Sequence, residues 1–328
     1  MPEPTHRFLE ANGIRMHVAE LGNGPLVLLC HGFPESWYSW RHQLRALADA
    51  GYHAVAPDMR GYDQTDRPDA IDQYTLLHLV GDMVGLLDAL GDRQAVIVGH
   101  DWGAPVAWTA ALLRPDRFRG VAGLSVPFLP RGTARPTLLM PQTKDAVFYQ
   151  LYFQAPGVAE ADYAHDVRGF IRTNLFVNCA DGPMRTRVPG TGPVGMVPRT
   201  GGLRARWNSF QVPEMLPSWC SEADVDFYAA EFSRTGFTGG LNYYRNIDRN
   251  WELLAPFAES QVMVPALYIA GQYDLVLAFE NMRKAVSNLA HFVPRLQKTI
   301  ALPGCGHWTQ QEKPDAVNAA LLEFLRTV

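Results

Sequence analysis

The stretch VGHDWGA (98–104) closes the apolar run that begins at Ala95 and opens a pattern of helical period. A strand that turns abruptly into a helix can present a nucleophile at the turn, and the usual form of that turn is G-x-S-x-G. Here Asp101 occupies the serine position, with Gly99, Gly103 and Ala104 around it. The two backbones approach closely at such a turn, so bulky side chains would clash. Asp tolerates left-handed φ/ψ better than most residues. Pro105 falls in the first helical turn, where no N–H is needed. The plain alternative, an Asp that caps a helix, requires none of the partners described next.

A serine must lose a proton before it attacks, whereas a carboxylate is already ionised at neutral pH. Attack on an ester or amide would give an unstable anhydride. In-line displacement at a saturated carbon with a good leaving group suits a carboxylate better. A strained epoxide and a carbon–halogen bond both fit. Either leaves an alkyl ester on Asp101, which water must hydrolyse at the aspartate's own carbonyl carbon.

That hydrolysis needs a base. GCGHWTQQEKP (304–314) places His307 after a strand and before the last helix, and GQYDLV (271–276) offers Asp274 to orient the imidazole. The order nucleophile, acid, histidine is the one expected for this strand–turn–helix arrangement. Both residues fall at the C-terminal ends of parallel strands, where open α/β sheets carry their sites. His307 acts as a base only when neutral, so ester hydrolysis is expected to weaken below about pH 6.5. HGFPES (31–36) follows the apolar run LVLLC (26–30). The backbone N–H groups of Phe33 and Trp102 are assigned to the oxyanion hole that holds the ester's oxygen during hydrolysis. His31 is read as a residue that shapes this loop.

Working outward, RFLEA and IRMHVAEL flank Asn12-Gly13 and read as a hairpin. LVLLC, YHAVAPD, AVIVG and GVAGLSV read as strands, separated by helices around WRHQLRALADA, LHLVGDMVGLLDAL and Gly103 to Leu113. The alternation predicts a mostly parallel sheet covered by helices on both faces. It stops near Val126 and returns with VPALYIAG (264–271), KTIALPG (298–304) and AVNAALLEFLRTV (316–328). Between them lie helical patterns and loops with few strands. The chain is therefore divided into an α/β core, 1–129 and 260–328, and an inserted, mostly helical cap, 130–259. GPMRTRVPGTGPVGMVPRTGG (182–202) is dense in Gly and Pro and is expected to be loop.

Composition excludes several classes. The formal net charge of the 328 residues is −4, with no long run of either sign, which argues against nucleic acid as the main partner. No secretion signal is read at the N-terminus, and no apolar run approaches the ~20 residues that span a membrane. Cys30, Cys179, Cys220 and Cys305 are scattered without a CxxC, as expected of reduced thiols in a cytoplasmic protein. The histidines include no HExxH pair, and no metal or other cofactor is expected.

An opening epoxide generates an alkoxide that needs an acid, whereas a departing halide needs N–H donors. The insertion offers Tyr149 and Tyr152 in VFYQLYFQAPG, and Tyr243 and Tyr244 in GGLNYYRNIDRNW. A neutral phenol above the nucleophile could hydrogen-bond an epoxide oxygen and give up its proton as the ring opens.

HGFPESWYSWRHQ, APDMRGY, GHDWGAPVAW, YQLYFQAPGVAEA, LNYYRNIDRNW and CGHWTQQEKP together resemble the α/β-hydrolase-fold epoxide hydrolases, including the C-terminal hydrolase domain of the mammalian soluble enzyme. The resemblance runs from about His31 to Pro314. It implies the α/β-hydrolase fold with a lid, no cofactor, and a hydrophobic epoxide converted by water to a vicinal diol. It places the lid tyrosines on Tyr149 and Tyr244, a choice that spacing alone does not make. The pocket is expected to be apolar, lined by Phe33, Trp102, Gln150, Phe153, Val276 and Trp308. A homodimer is expected by analogy only. The sequence departs from the family pattern at Asp63, where Gly is more frequent, and at Tyr243, where Trp is frequent. The main alternative is a haloalkane or haloacid dehalogenase using the same Asp. Against it, HGFP lacks an Asn after its Gly and HDWG lacks an Arg after the nucleophile. A non-catalytic ligand receptor on the same scaffold is the second alternative, and it leaves the full set of catalytic groups unexplained.

Overall fold

The computed structural model describes residues 3–187 and 194–328. Asn12 and Gly13 both adopt positive φ, 50° and 76°, and join β1 (Thr5–Ala11) to β2 (Ile14–Leu21) in a tight antiparallel hairpin. The apolar runs become β3 (Leu26–Cys30), β4 (His53–Pro57), β5 (Ala95–His100), β6 (Phe118–Leu124), β9 (Ala266–Gly271) and β10 (Leu296–Leu302). Their order across the sheet is β1-β2-β4-β3-β5-β6-β9-β10. Pairing is antiparallel from β1 to β4 and parallel from β4 to β10. Every residue of β3, β5 and β9 is buried, as continuous apolar strands require when both sheet faces are covered. The helices α1 (Arg41–Asp49), α2 (Leu76–Leu90) and α3 (Gly103–Leu113) follow β3, β4 and β5, and Pro314–Leu325 ends the chain's regular structure.

One strand ends earlier than the sequence pattern implied. GVAGLSV reads as strand through Val126, but β6 stops at Leu124 because Ser125 takes a φ of 70° and leaves the sheet.

Residues 130–259 carry helices at Tyr149–Tyr152, Val158–His165, Val167–Asn178, Gly202–Asn208, Glu222–Thr235, Thr238–Arg245 and Ile247–Leu253. They also hold a small antiparallel pair, β7 (Ala146–Phe148) with β8 (Met196–Pro198). The Gly/Pro-rich stretch is thus not all loop: Pro183–Thr186 forms a 3-10 turn, and Met196–Pro198 gains a partner far away in sequence. That long-range pairing is invisible to local composition. Residues 188–193 of the stretch lie outside the described residues.

Candidate active site

The site is built on the ends of β3, β5, β6, β9 and β10. After β5 the backbone folds back at Asp101, whose φ is 49°. The glycines around it have no room to spare. A Cβ on Gly99 would sit 2.0 Å from the Gly103 carbonyl oxygen, and one on Gly103 would sit 2.0 Å from that of Cys30. A Cβ on Gly32 would sit 2.3 Å from the Asp101 Cβ.

Two neighbours divide the Asp101 carboxylate. The Phe33 N–H donates to Oδ1 at 2.9 Å, and His307 Nε2 lies 3.6 Å from Oδ2. On the other side of the imidazole, Nδ1 is 3.0 Å from Asp274 Oδ1, which also accepts the Val276 N–H at 3.0 Å. The three predicted residues, from three separate loops, meet in one line. The Trp102 N–H makes no hydrogen bond to the carboxylate among the described residues. It stands at the start of α3, where the first N–H groups have no partner within the helix.

Charge is distributed accordingly. Burial disfavours ionisation of Asp101, but the contact with His307, the His100 charge and the Phe33 N–H outweigh it and hold the carboxyl below its usual range. Burial likewise disfavours protonated His307, but Asp274 and Asp101 override it and hold the imidazole well above 6.5. In the free enzyme His307 therefore holds its proton more tightly than an ordinary imidazole. The cause is the pair of flanking carboxylates.

Tyr149 and Tyr244 line the same cavity as Asp101 and His307. Their rings meet edge-on, with centroids 5.9 Å apart. Burial, then the Asp101 charge, raises both phenols well above the ordinary tyrosine range, so both stay neutral donors. The neighbouring tyrosines are engaged elsewhere. Tyr152 donates to Asp162 Oδ2 at 2.8 Å, and Tyr243 donates to the Arg60 carbonyl at 2.9 Å.

The expected pocket needs correction. Phe33, Phe153, Val276 and Trp308 line the cavity, but Trp102 and Gln150 do not. The Trp102 indole is taken up in edge contacts with Tyr243 and Tyr244, at centroid distances of 5.7 and 5.1 Å. Gln150 turns its Nε2 to the Tyr149 hydroxyl oxygen at 2.9 Å. Nor is the cavity wholly apolar: Thr173, Asn174, Asn178 and Arg206 also face it.

Several supporting residues escaped sequence reasoning. Glu35, fully buried, accepts from the Gly32 N–H, Gln310 and Gln311, and faces His100 Nδ1 at 2.8 Å. His100 Nε2 in turn lies 2.7 Å from the His307 carbonyl oxygen. This network ties the HGFPES loop, the nucleophile turn and the histidine loop together. The signal was present, since Glu35 and His100 sit inside the two quoted motifs. Ser125, whose Oγ is 3.1 Å from His307 Nδ1, carries no such signal. His31 bridges its own loop to the next: its Nδ1 is 2.9 Å from the Gly32 carbonyl, and its Nε2 accepts the Met59 N–H. Of the two departures, Asp63 adopts positive φ, which explains the fit of glycine there, and it pairs with Arg234. His17, Asp58 and Asp63 lie close enough together to hold a cation, but Asp58 is engaged by His17 and the Trp37 N–H, and Asp63 by Arg234.

The alpha/beta hydrolase fold family matches residues 25–314. This sheet order, the turn at Asp101 and the Asp–His–Asp line define the class: an α/β-hydrolase with a carboxylate in the nucleophile position. Among curated proteins, Epoxide hydrolase A of Mycobacterium tuberculosis is 46% identical, covering 99% of this chain and 98% of its own length. Bifunctional epoxide hydrolase 2 of Sus scrofa is 39% identical over 96% of this chain and 54% of its own. Among solved structures, an epoxide hydrolase from an endophytic Streptomyces superposes with a TM-score of 0.91 at 44% identity, over 99% of this chain and 96% of that one. The chain belongs to the α/β-hydrolase-fold epoxide hydrolases.

Proposed function

We propose that this enzyme opens a hydrophobic epoxide by attack of Asp101 Oδ2 while Tyr149 and Tyr244 hold the epoxide oxygen. The C–O bond of the ring breaks as the Oδ2–C bond forms, and a phenol supplies the proton to the alkoxide. His307, oriented by Asp274, then takes a proton from water, which attacks the Asp101 carbonyl carbon. The developing oxyanion stays on Oδ1, where the Phe33 N–H already donates and the Trp102 N–H is available. Collapse expels the diol's second oxygen as an alkoxide. The protons now on His307 and on the regenerated Asp101 carboxyl go to that oxygen and to the phenolate, which restores all the groups and releases a vicinal diol. One observation carries this assignment: the cavity that exposes Asp101 and His307 is roofed by two neutral phenols. The same roof favours an epoxide over a halide, because a departing halide needs no proton.

The boundaries 130–259 for the cap, a cytoplasmic setting and a homodimer belong to the same proposal. The four cysteines are free and buried, which supports the second, and among the described residues no helix is long and apolar enough to cross a membrane. Light scattering on the purified protein tests the third.

Asp101→Asn tests the main assignment. Diol formation from styrene oxide should be abolished. Substantial retained activity, with mass spectrometry showing that the amide is intact, would refute it.

A further inference from the structure

Two segments far apart in sequence meet beside His307, and one carboxylate joins them. Glu312 ends the helical turn Thr309–Glu312 and accepts three backbone N–H groups. Its Oε2 takes the Ala180 N–H at 2.9 Å and the Gly306 N–H at 2.8 Å, and its Oε1 takes the Trp308 N–H at 3.0 Å. Gly306 and Trp308 flank His307 in sequence. Ala180 lies in the inserted segment, two residues beyond the helix Val167–Asn178. Glu312 therefore grips the histidine loop on both sides of the base and ties it to the end of that helix.

Further bonds run along the same seam. The His307 N–H donates to the Asn178 carbonyl at 2.9 Å, and the Trp308 indole N–H donates to the Leu175 carbonyl at 2.9 Å. The two chains leave no space between them: a Cβ on Gly306 would sit 2.4 Å from the Cys179 carbonyl carbon. The last turns of the inserted helix also face a bound ligand, since Thr173, Asn174, Val177 and Asn178 line the active-site cavity. Glu312 itself does not line it.

Hydrogen bonds to a carboxylate are roughly twice as strong as neutral ones, and the other two bonds of the seam end on neutral carbonyls. In the free enzyme His307 is flanked by two carboxylates. Alkylation of Asp101 cancels one of those charges at the step when the base is needed. From then on Asp274 and the loop itself must hold the imidazole. A misplacement of about 1 Å costs on the order of a hundredfold in rate. Attack draws on Asp101, Phe33 and the two phenols, none of which Glu312 hydrogen-bonds.

Resting on the epoxide-opening assignment above, we propose that Glu312 is a positioning residue for His307, and that through it the helix Val167–Asn178 sets the base for the hydrolytic half of the reaction.

The test compares wild type with Glu312→Gln, Glu312→Ala and Ala180→Pro, each first shown to be folded by circular dichroism. Ala180→Pro removes only the N–H on the inserted side. Cys179 before it is extended (φ −82°, ψ 173°), as the residue preceding a proline prefers. Single-turnover rapid quench with styrene oxide reads formation and decay of the alkyl-enzyme separately. Formation should stay within about twofold of wild type, while decay slows by on the order of ten- to a hundredfold. The double variant Glu312→Gln/Ala180→Pro should slow decay by less than the product of the single effects, because both cut one connection. Backbone hydrogen exchange, which needs no chemistry, should rise together in peptides 174–180 and 304–309. Unchanged decay in folded Glu312→Gln and Glu312→Ala, or equal slowing of formation and decay, would overturn the positioning role. Slow decay in the Glu312 variants with Ala180→Pro behaving as wild type would overturn the part played by the inserted helix. Where Ala180→Pro does not fold, exchange of 174–180 in Glu312→Gln decides the same point. Neither adduct nor diol from wild type would overturn the epoxide assignment; a joint rise in exchange would then leave the connection standing, and a rise confined to 304–309 would overturn it as well.

Discussion

His307 Nε2 lies 3.6 Å from Asp101 Oδ2, while the other oxygen of the same carboxylate, Oδ1, accepts the Phe33 N–H at 2.9 Å. The two oxygens are therefore not equivalent. Oδ1 is committed to the position where an oxyanion would form, and Oδ2 is left to make the new bond. Alkylation at Oδ2 would leave the ester carbonyl already facing its donor, with the base poised on the side from which water must come.

This division predicts that attack and hydrolysis separate in His307→Gln. Attack needs only the ionised Asp101, whereas hydrolysis needs the base. Mixed with styrene oxide, the variant should gain the mass of one intact epoxide on the peptide holding Asp101, and steady turnover should fall by roughly 10²–10⁴. Intact-mass and peptide-mapping spectra check it. Absence of the adduct, with active wild type, would mean that His307 is needed before the ester forms.

The two carboxylates flanking His307 predict an asymmetric pH response. A pKa raised above its ordinary value keeps His307 protonated, and useless as a base, over a wider range of pH. Alkylation removes the Asp101 charge, so His307 in the ester is less basic than in the free enzyme. Asp101, with its pKa lowered, stays ionised on moderate acidification. Lowering the pH should slow hydrolysis more than attack, and the alkyl-enzyme should accumulate. Rapid-quench measurement of bound and free product across pH checks this; equal slowing of both steps would contradict it.

Tyr149→Phe and Tyr244→Phe should each lower kcat/KM for an epoxide by roughly 10²-fold, the low end of general-acid effects, because the remaining phenol still reaches the oxygen. The double variant should lose more than either single one. Tyr243→Phe is a different kind of change. It removes a buried hydrogen bond to the Arg60 carbonyl and should lower stability by about 1 kcal/mol, read as a lower Tm.

Gly99→Ala should prevent correct folding, because its Cβ would meet backbone, which cannot step aside, at 2.0 Å. A destabilisation on the order of 4 kcal/mol or more is expected. Soluble expression and denaturant unfolding measure it.

Much of this was legible in the chain. Runs such as LVLLC and AVIVG are apolar without alternation because both faces of a parallel strand are buried, so the sheet announces itself locally. Asp101, Asp274 and His307 each follow such a run, and the ends of parallel strands converge. The tyrosines were different. Tyr149 and Tyr152 share one short helix, and Tyr243 and Tyr244 are adjacent, so no local rule separates them. Resemblance to a family favoured one of each pair; in the structure the other two are spent on Asp162 and Arg60.

The sequence by itself determined the alternating α/β order, the carboxylate at the nucleophile turn and the order of its partners. Each of these is written in periodicity or in residues a few positions apart. Only the tertiary structure decided that Trp102 and Gln150 pack against the cavity's tyrosines and do not line it, that Ser125 ends its strand beside His307, and that Arg206 lines the active-site cavity without a counter-ion among the described residues. Those outcomes depend on which distant side chains arrive first at each polar group, and such contacts form between segments that carry no mark of one another.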